Sequence, residues 1–160
     1  MPFLPGVQSM GGMQFAQKAV VTLDDSKILL VRKSADDPNR PGKWDLPGGR
    51  LKAGEHLDSH LAREVMEETG LRVTPGKLID LWDWYLWSNG EYVRVLAVSR
   101  YCWLESDEAG QTCLEPDDYI AEQRWFSLDE VRDLDIIPSQ TRTIDLVLEE
   151  LAPWQPARRS

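Results

Sequence analysis

The segment Arg63-Glu64-Val65-Met66-Glu67-Glu68-Thr69-Gly70 sets three carboxylates at i, i+3 and i+4. Its Arg, Glu and Met content favours a helix. At roughly 100 degrees per residue, Glu64, Glu67 and Glu68 then share one face. Like charges at these spacings repel by roughly 0.2–0.5 kcal/mol per pair, so the arrangement calls for a counter-charge. A hard divalent cation suits it. Mg²⁺ takes oxygen ligands and binds through a few carboxylates, several waters and substrate phosphates, and Mn²⁺ accepts similar donors. The plain alternative is a solvated acidic helix face. His60 falls on the same face, and we read it as a surface histidine because its neighbours already account for the pattern.

A helix from about His56 to Thr69 must hold these groups. Leu61, Ala62, Val65 and Thr69 form an apolar stripe round from the carboxylates, and Gly70 follows as a C-cap. One face can pack on a sheet while the other looks into a cleft. The sheet is legible as strands at about 14–22 and 28–33, joined by a polar turn, and a short WDL strand running into Pro47-Gly48-Gly49. Between them, SADDPNRPGK is a loop by its Pro, Asn, Asp and Gly content. LIDLWDWYLW and YVRVLAVSRYCWL form a long hairpin around a four-residue SNGE turn, and IAEQRWF is a further strand. Ser127 can N-cap a short helix SLDEVRDL, and PSQTRTIDLVLEELA reads as a terminal amphipathic helix. The order does not alternate strictly between strand and helix, so the expectation is a mixed α/β domain with helices covering a sheet, not a doubly wound one. One domain over 14–152 is expected, after a loose arm at 1–13 and before a mobile tail at 153–160.

Composition excludes several roles. With 18 basic against 27 acidic residues the net charge is -9, which argues against gripping a nucleic-acid backbone through a broad basic surface. No apolar run approaches the length needed to span a membrane. The N-terminal stretch lacks the basic and apolar regions of a secretory signal. Cys102 and Cys113 fit neither a disulfide framework nor a zinc site. A reducing cytoplasm is the default expectation.

Around the cluster, Gly49 is followed after five residues by Glu55, and after seven more by Arg63-Glu64-Val65-Met66-Glu67-Glu68-Thr69-Gly70-Leu71. This resembles the Nudix hydrolase signature G-x5-E-x7-R-E-U-x-E-E-x-G-U, where U is apolar, with every fixed position filled. WDLPGG before it and EQRWFSLDEV after it resemble the flanking strands of that family more weakly. The resemblance implies an α/β/α sandwich, a mixed β-sheet between helices carrying a loop-helix-loop catalytic element. It also implies hydrolysis of a nucleoside diphosphate linked to some further group. By the same resemblance Glu64, Glu67 and Glu68 are metal-binding carboxylates, and Glu64 is the leading candidate for activating water. Glu55 supports the metal site. Arg63 is structural, holding carboxylates by ion pairing. Gly49 makes a tight turn with a carbonyl available to the metal, unless it is a structural turn alone. An extra acid is expected before the strand ending in Trp125-Phe126, with Glu115, Asp117 and Asp118 as the candidates.

On the substrate side, Trp82 and Trp84 could stack a base and Arg94 could reach a phosphate. Strand alternation puts Trp82 and Trp84 on one face and Tyr85 and Trp87 on the other. Strand aromatics also serve as core or as a dimer interface, which makes a homodimer one expectation. In ADP-ribose-cleaving relatives a proline often stands where this chain has Leu86. In dinucleoside-polyphosphate-cleaving relatives a tyrosine often stands where it has Trp87, Ser88 or Asn89. Both absences tilt the reading toward a nucleoside triphosphate, oxidised forms included, cleaved to monophosphate and pyrophosphate. A nucleotide sugar or a dinucleoside polyphosphate is the alternative. A nucleotide-sensing module without turnover is the alternative from another class, although such modules often lose box carboxylates. An isoprenoid-diphosphate isomerase would need a cysteine upstream of the box, and both cysteines lie downstream. The expected partner is a small nucleotide, with neither nucleic acid nor membrane.

Overall fold

The computed structural model describes residues 10–116 and 118–151; residues 1–9, Asp117 and residues 152–160, with most of the expected arm and all of the expected tail, lie outside the described residues. The elements in chain order are β1 (Met10–Leu23), β2 (Lys27–Lys33), β3 (Trp44–Asp45), β4 (Gly48–Arg50), α1 (Leu57–Thr69), β5 (Val73–Ser88), β6 (Glu91–Leu104), β7 (Ile120–Ser127), α2 (Leu128–Val131) and α3 (Thr141–Leu151).

β1 organises the sheet. It runs parallel to β6 from Met10↔Tyr92 to Val21↔Cys102, antiparallel to β4 over Ala16–Lys18, and antiparallel to β2 at its last two residues. β6 continues into β5, while β2 carries β3 on one side and β7 on the other. The sheet is therefore mixed. Because side chains alternate along a strand, β1 feeds two cores at once. Val20 packs with Ile28, Leu30, Trp44, Phe126 and the α3 residues Ile144, Val147 and Leu148. Ala19 and Val21 pack on the other face with Leu61 and Val65 of α1. This is the expected sandwich, and it seats the carboxylate helix on one sheet face with α2 and α3 on the other.

Several boundaries differ from the sequence expectation for local reasons. β1 begins at Met10 rather than about 14, with its register broken between Met10 and Met13. The β5–β6 turn has two residues, not four: Asn89 and Gly90 take positive φ of 51° and 81° between the paired Ser88 and Glu91, the conformation an Asn-Gly hairpin favours. The helix expected over 127–134 is α-helical only at Leu128–Val131, entered through a capping box in which Ser127 and Glu130 bond each other's backbone. The terminal helix opens with a 3-10 turn at Pro138–Gln140 before α3. β4 escaped the sequence reading because Gly48-Gly49-Arg50 looks like a turn, yet all three residues pair with β1.

Candidate active site

α1 carries the site's acidic face. His56 leads into the helix and Gly70 ends it at φ 72°, with its N–H donating to the Met66 carbonyl. Leu61 and Val65 are fully buried beneath the helix. β4 closes the other side. A Cβ on Gly48, at φ 141°, would lie 2.1 Å from the Gln17 carbonyl oxygen. Its N–H donates to Glu68 Oε2 at 3.1 Å. A Cβ on Gly49 would lie 2.9 Å from the Glu64 carboxyl atoms. Gly48 thus lets β4 close against the β1 backbone, and Gly49 lets it approach the Glu64 carboxylate more closely than any side chain would permit.

The structure brings Glu64, Glu68 and Asp118 together, with one carboxylate oxygen of each within 4.8 Å of the others. Burial raises the carboxyl of all three above its ordinary value, because a low-dielectric site disfavours the charged form. Of the two candidate acids among the described residues, Glu115 and Asp118, Asp118 is the one delivered to the cluster. Glu115 is exposed, and its backbone N–H donates to Asp118 Oδ2 at 2.7 Å. Asp117 lies outside the described residues.

Glu67 stands apart from that trio. Arg63 donates to Glu67 Oε2 at 2.9 Å and to both oxygens of Glu55 at 2.7 and 2.9 Å, and its Nη2 lies 3.2 Å from Glu64 Oε1. The bidentate contact holds the Glu55 carboxyl down to about 2. Arg63 therefore contacts Glu55, Glu64 and Glu67 at once at the rim.

Lys18, Asp45 and Lys33 went unnoticed in the sequence. Lys18 Nζ donates to Asp45 Oδ2 at 2.8 Å and to the Leu46 carbonyl at 3.2 Å. Burial works against its charge, but Asp45 and Glu68 outweigh that and hold the ammonium above its ordinary value. Lys33 Nζ bonds the Asp118 carbonyl at 2.8 Å. The available signal was Lys18 itself, a cation inside the apolar run AQKAVV, where burial demands a partner.

One reading requires correction. His60 is not a surface residue: it is fully buried, its Nδ1 2.9 Å from Gln17 Nε2 and its Nε2 3.8 Å from Glu64 Oε1 and without a hydrogen-bond partner among the described residues. Burial pushes its pKa down. Arg94 does not share a surface with Trp82 and Trp84. The pairs Trp82↔Ala97 and Trp84↔Val95 lie on one sheet face, and Tyr85↔Arg94 on the other. There Arg94 is held by Asp83 at 2.7 Å. Trp82 and Trp84 pack over Ala16, Val95 and Ala97.

The glycine-backed carboxylate helix on a mixed sheet coincides with a match of residues 14–147 to the NUDIX domain family. The chain belongs to the NUDIX family. Proteins of this family act as pyrophosphohydrolases on phosphorus-containing anhydrides and generally use divalent metals. Among solved structures, a NUDIX hydrolase from Nitrosomonas europaea is 28% identical with a TM-score of 0.68, covering 86% of this chain and 89% of that one. A Caenorhabditis elegans protein named "Putative nudix hydrolase 1" is 28% identical over 109 residues, 68% of this chain and 27% of that protein. A Bacillus subtilis protein named "Putative 8-oxo-dGTP diphosphatase" is 43% identical over 51 residues, 32% of either chain. The chain spans about a third or less of the length of these two curated relatives. No helix among the described residues is long and apolar enough to cross a membrane.

Proposed function

We propose that this NUDIX chain is a hydrolase dependent on Mg²⁺ or Mn²⁺ that cleaves a nucleoside triphosphate, oxidised forms included, to monophosphate and pyrophosphate. The observation that carries this reading is the convergence of Glu64, Glu68 and Asp118 within 4.8 Å. The donor set fits a hard cation, since it is all oxygen and its burial leaves the carboxylates in need of positive charge. Glu64, Glu68 and Asp118 would hold the ion, with Glu67 and the Gly49 carbonyl as the further ligands the family pattern implies. When bound, it would neutralise phosphate oxygens, make water more acidic and steady the leaving phosphate.

The chain's own groups divide the remaining work. Glu64, kept in place by Arg63 and uncrowded by Gly49, accepts the proton of the attacking water. A bond forms from water oxygen to phosphorus, and the bridging bond to the leaving pyrophosphate breaks. Lys18 and Lys33 add positive potential that favours a polyphosphate over a neutral ligand. Trp82 offers an aromatic surface, and its buried indole N–H has no partner among the described residues, so a base acceptor would satisfy it. The name of the Bacillus subtilis relative supports oxidised purine nucleotides as the first substrates to assay.

Hydrolysis of a panel of nucleoside triphosphates in ¹⁸O-labelled water, with mass analysis of both products, tests the reading. The expected products are the monophosphate and pyrophosphate. Orthophosphate and the diphosphate as sole initial products would refute it. Tight binding without turnover across the panel would favour the sensing module.

A further inference from the structure

A fully buried histidine with one ring nitrogen unpaired is costly, because a desolvated N–H without an acceptor loses its water bond and gains nothing. Beside Glu64, His60 Nε2 makes no hydrogen bond to any of the described residues. Which nitrogen carries the proton is settled by its neighbours. Gln17 Nε2 lies 2.7 Å from the Leu57 carbonyl oxygen and 2.9 Å from His60 Nδ1, while Gln17 Oε1 lies 3.3 Å from Arg100 Nη1. Turning the amide over would set oxygen against the Leu57 carbonyl and NH₂ against a guanidinium. The amide nitrogen therefore faces the ring and donates to Nδ1, which must be the acceptor. The proton sits on Nε2. Arg100 is itself anchored by Asp58 at 2.7 Å and by the Gly76 carbonyl at 2.9 Å, so a continuous chain of polar groups runs from the surface to the buried ring.

That chain ends at Glu64. Oε1 accepts from Arg63 Nη2 at 3.2 Å, and His60 Nε2 lies 3.8 Å from the same oxygen, one turn back on α1. A carboxylate oxygen has a second lone pair to offer. A shift of about 1 Å would bring the pair to an ordinary hydrogen-bond distance. The Arg50 carbonyl is the competing acceptor beside the ring.

We propose that His60 is a positioning residue: with Gln17 holding its Nε2–H tautomer, it closes onto Glu64 Oε1 as substrate binds and pins that oxygen, leaving the other free to take the proton of water. A neutral donor orients Glu64 without adding a charge that would oppose proton uptake. The proposal rests on Glu64 acting as the base of the proposed hydrolysis, and its test has an arm independent of turnover.

Long-range ¹H–¹⁵N correlation spectra of the metal-free protein report the ring tautomer directly, and with only two histidines in the chain His60 is assignable by comparison with His56→Gln. The expected result is a proton on Nε2 in wild type, loss of that preference in Gln17→Leu, and displacement of the Nε2 signal in Glu64→Gln. A proton on Nδ1, or an Nε2 signal indifferent to Glu64→Gln, would overturn the placement. In turnover, His60→Leu should lower kcat about ten-fold with KM unchanged, as expected for losing one hydrogen bond to a charged group. His60→Gln, which restores an N–H donor, should recover most of that loss. Equal loss in the two variants, or none in either, would overturn the role. Should His60→Leu fail to fold by thermal melting, Gln17→Leu replaces it, with the same split between kcat and KM. Absence of any nucleotide hydrolysis by wild type would instead defeat the proposed activity, while the spectra still decide the placement.

Discussion

At the residue scale, burial separates the carboxylates from one another. Glu68 is almost completely buried and receives the Gly48 N–H, whereas Glu67 is tied to Arg63 at the rim. Glu68→Gln keeps the acceptor for Gly48 and replaces a carboxyl whose charged form burial disfavours. We expect kcat to fall by about 10²-fold or more, with the melting temperature of the metal-free protein undiminished. A fold lost together with activity would show that Glu68 is structural. Glu67→Gln should also lower kcat by orders of magnitude if Glu67 joins the ion, and a near-wild-type rate at saturating metal would place it outside the ligand set. The extra acid is tested the same way. Asp118→Asn should reduce kcat about 10²-fold, while Glu115→Gln, exposed and bonding Asp118 only through its backbone N–H and carbonyl, should leave it within a factor of about two. The reverse outcome would assign the role to Glu115.

At the element scale, β4 and the end of α1 depend on backbone approach. Gly48 holds φ 141° with the Gln17 carbonyl where a Cβ would stand. Gly48→Ala therefore combines backbone strain with overpacking, each costing about 1–3 kcal/mol. We expect roughly 2–6 kcal/mol of lost stability, read from urea midpoints at unchanged m-value. Gly54 makes the contrast, since it also has positive φ, 83°, but nothing within 4 Å of its Cβ position. Gly54→Ala should cost only the left-handed strain, roughly 1 kcal/mol. Similar costs at the two sites would mean that close packing of β4 against β1 is not what demands glycine. The same elements explain the partition of β5. Its alternation gives Trp82 and Trp84 to the face that carries α3, while Leu81 and Trp87 stay exposed on the face that carries α1.

At the scale of the whole molecule, the site is where the two halves of the sheet meet. α1 brings Glu64 and Glu68, the segment before β7 brings Asp118, and β1 with β3 brings the Lys18–Asp45 pair. An ion bound by groups from distant elements stabilises the folded chain over the unfolded one, in which those groups are dispersed. Millimolar Mg²⁺ or Mn²⁺ should therefore raise the melting temperature, and EDTA should abolish both that rise and nucleotide hydrolysis. Full turnover in excess chelator would sink the metal-dependent mechanism. An unchanged melting temperature would argue that the carboxylates form a solvated face.

Much of this protein could be read along the chain, because the information was local. The i, i+3, i+4 spacing of Glu64, Glu67 and Glu68, the apolar stripe of Leu61 and Val65, and Gly70 as a left-handed cap are properties of one helix, which 3.6-residue periodicity exposes. The alternation of β5 likewise separated Trp82 from Tyr85. What the chain alone left open was contact between distant positions. The choice of Asp118 over Glu115 follows from the path of the chain into β7. The withdrawal of Glu67 toward Arg63, and of Arg94 toward Asp83, follows from side-chain partners. The burial of His60 follows from β1 lying under α1, which supplies Gln17 at a separation of 43 residues. Periodicity identifies the face a residue occupies, but the neighbour that covers that face is set by tertiary packing, and at this site the covering neighbours fix which carboxylates are free to hold an ion.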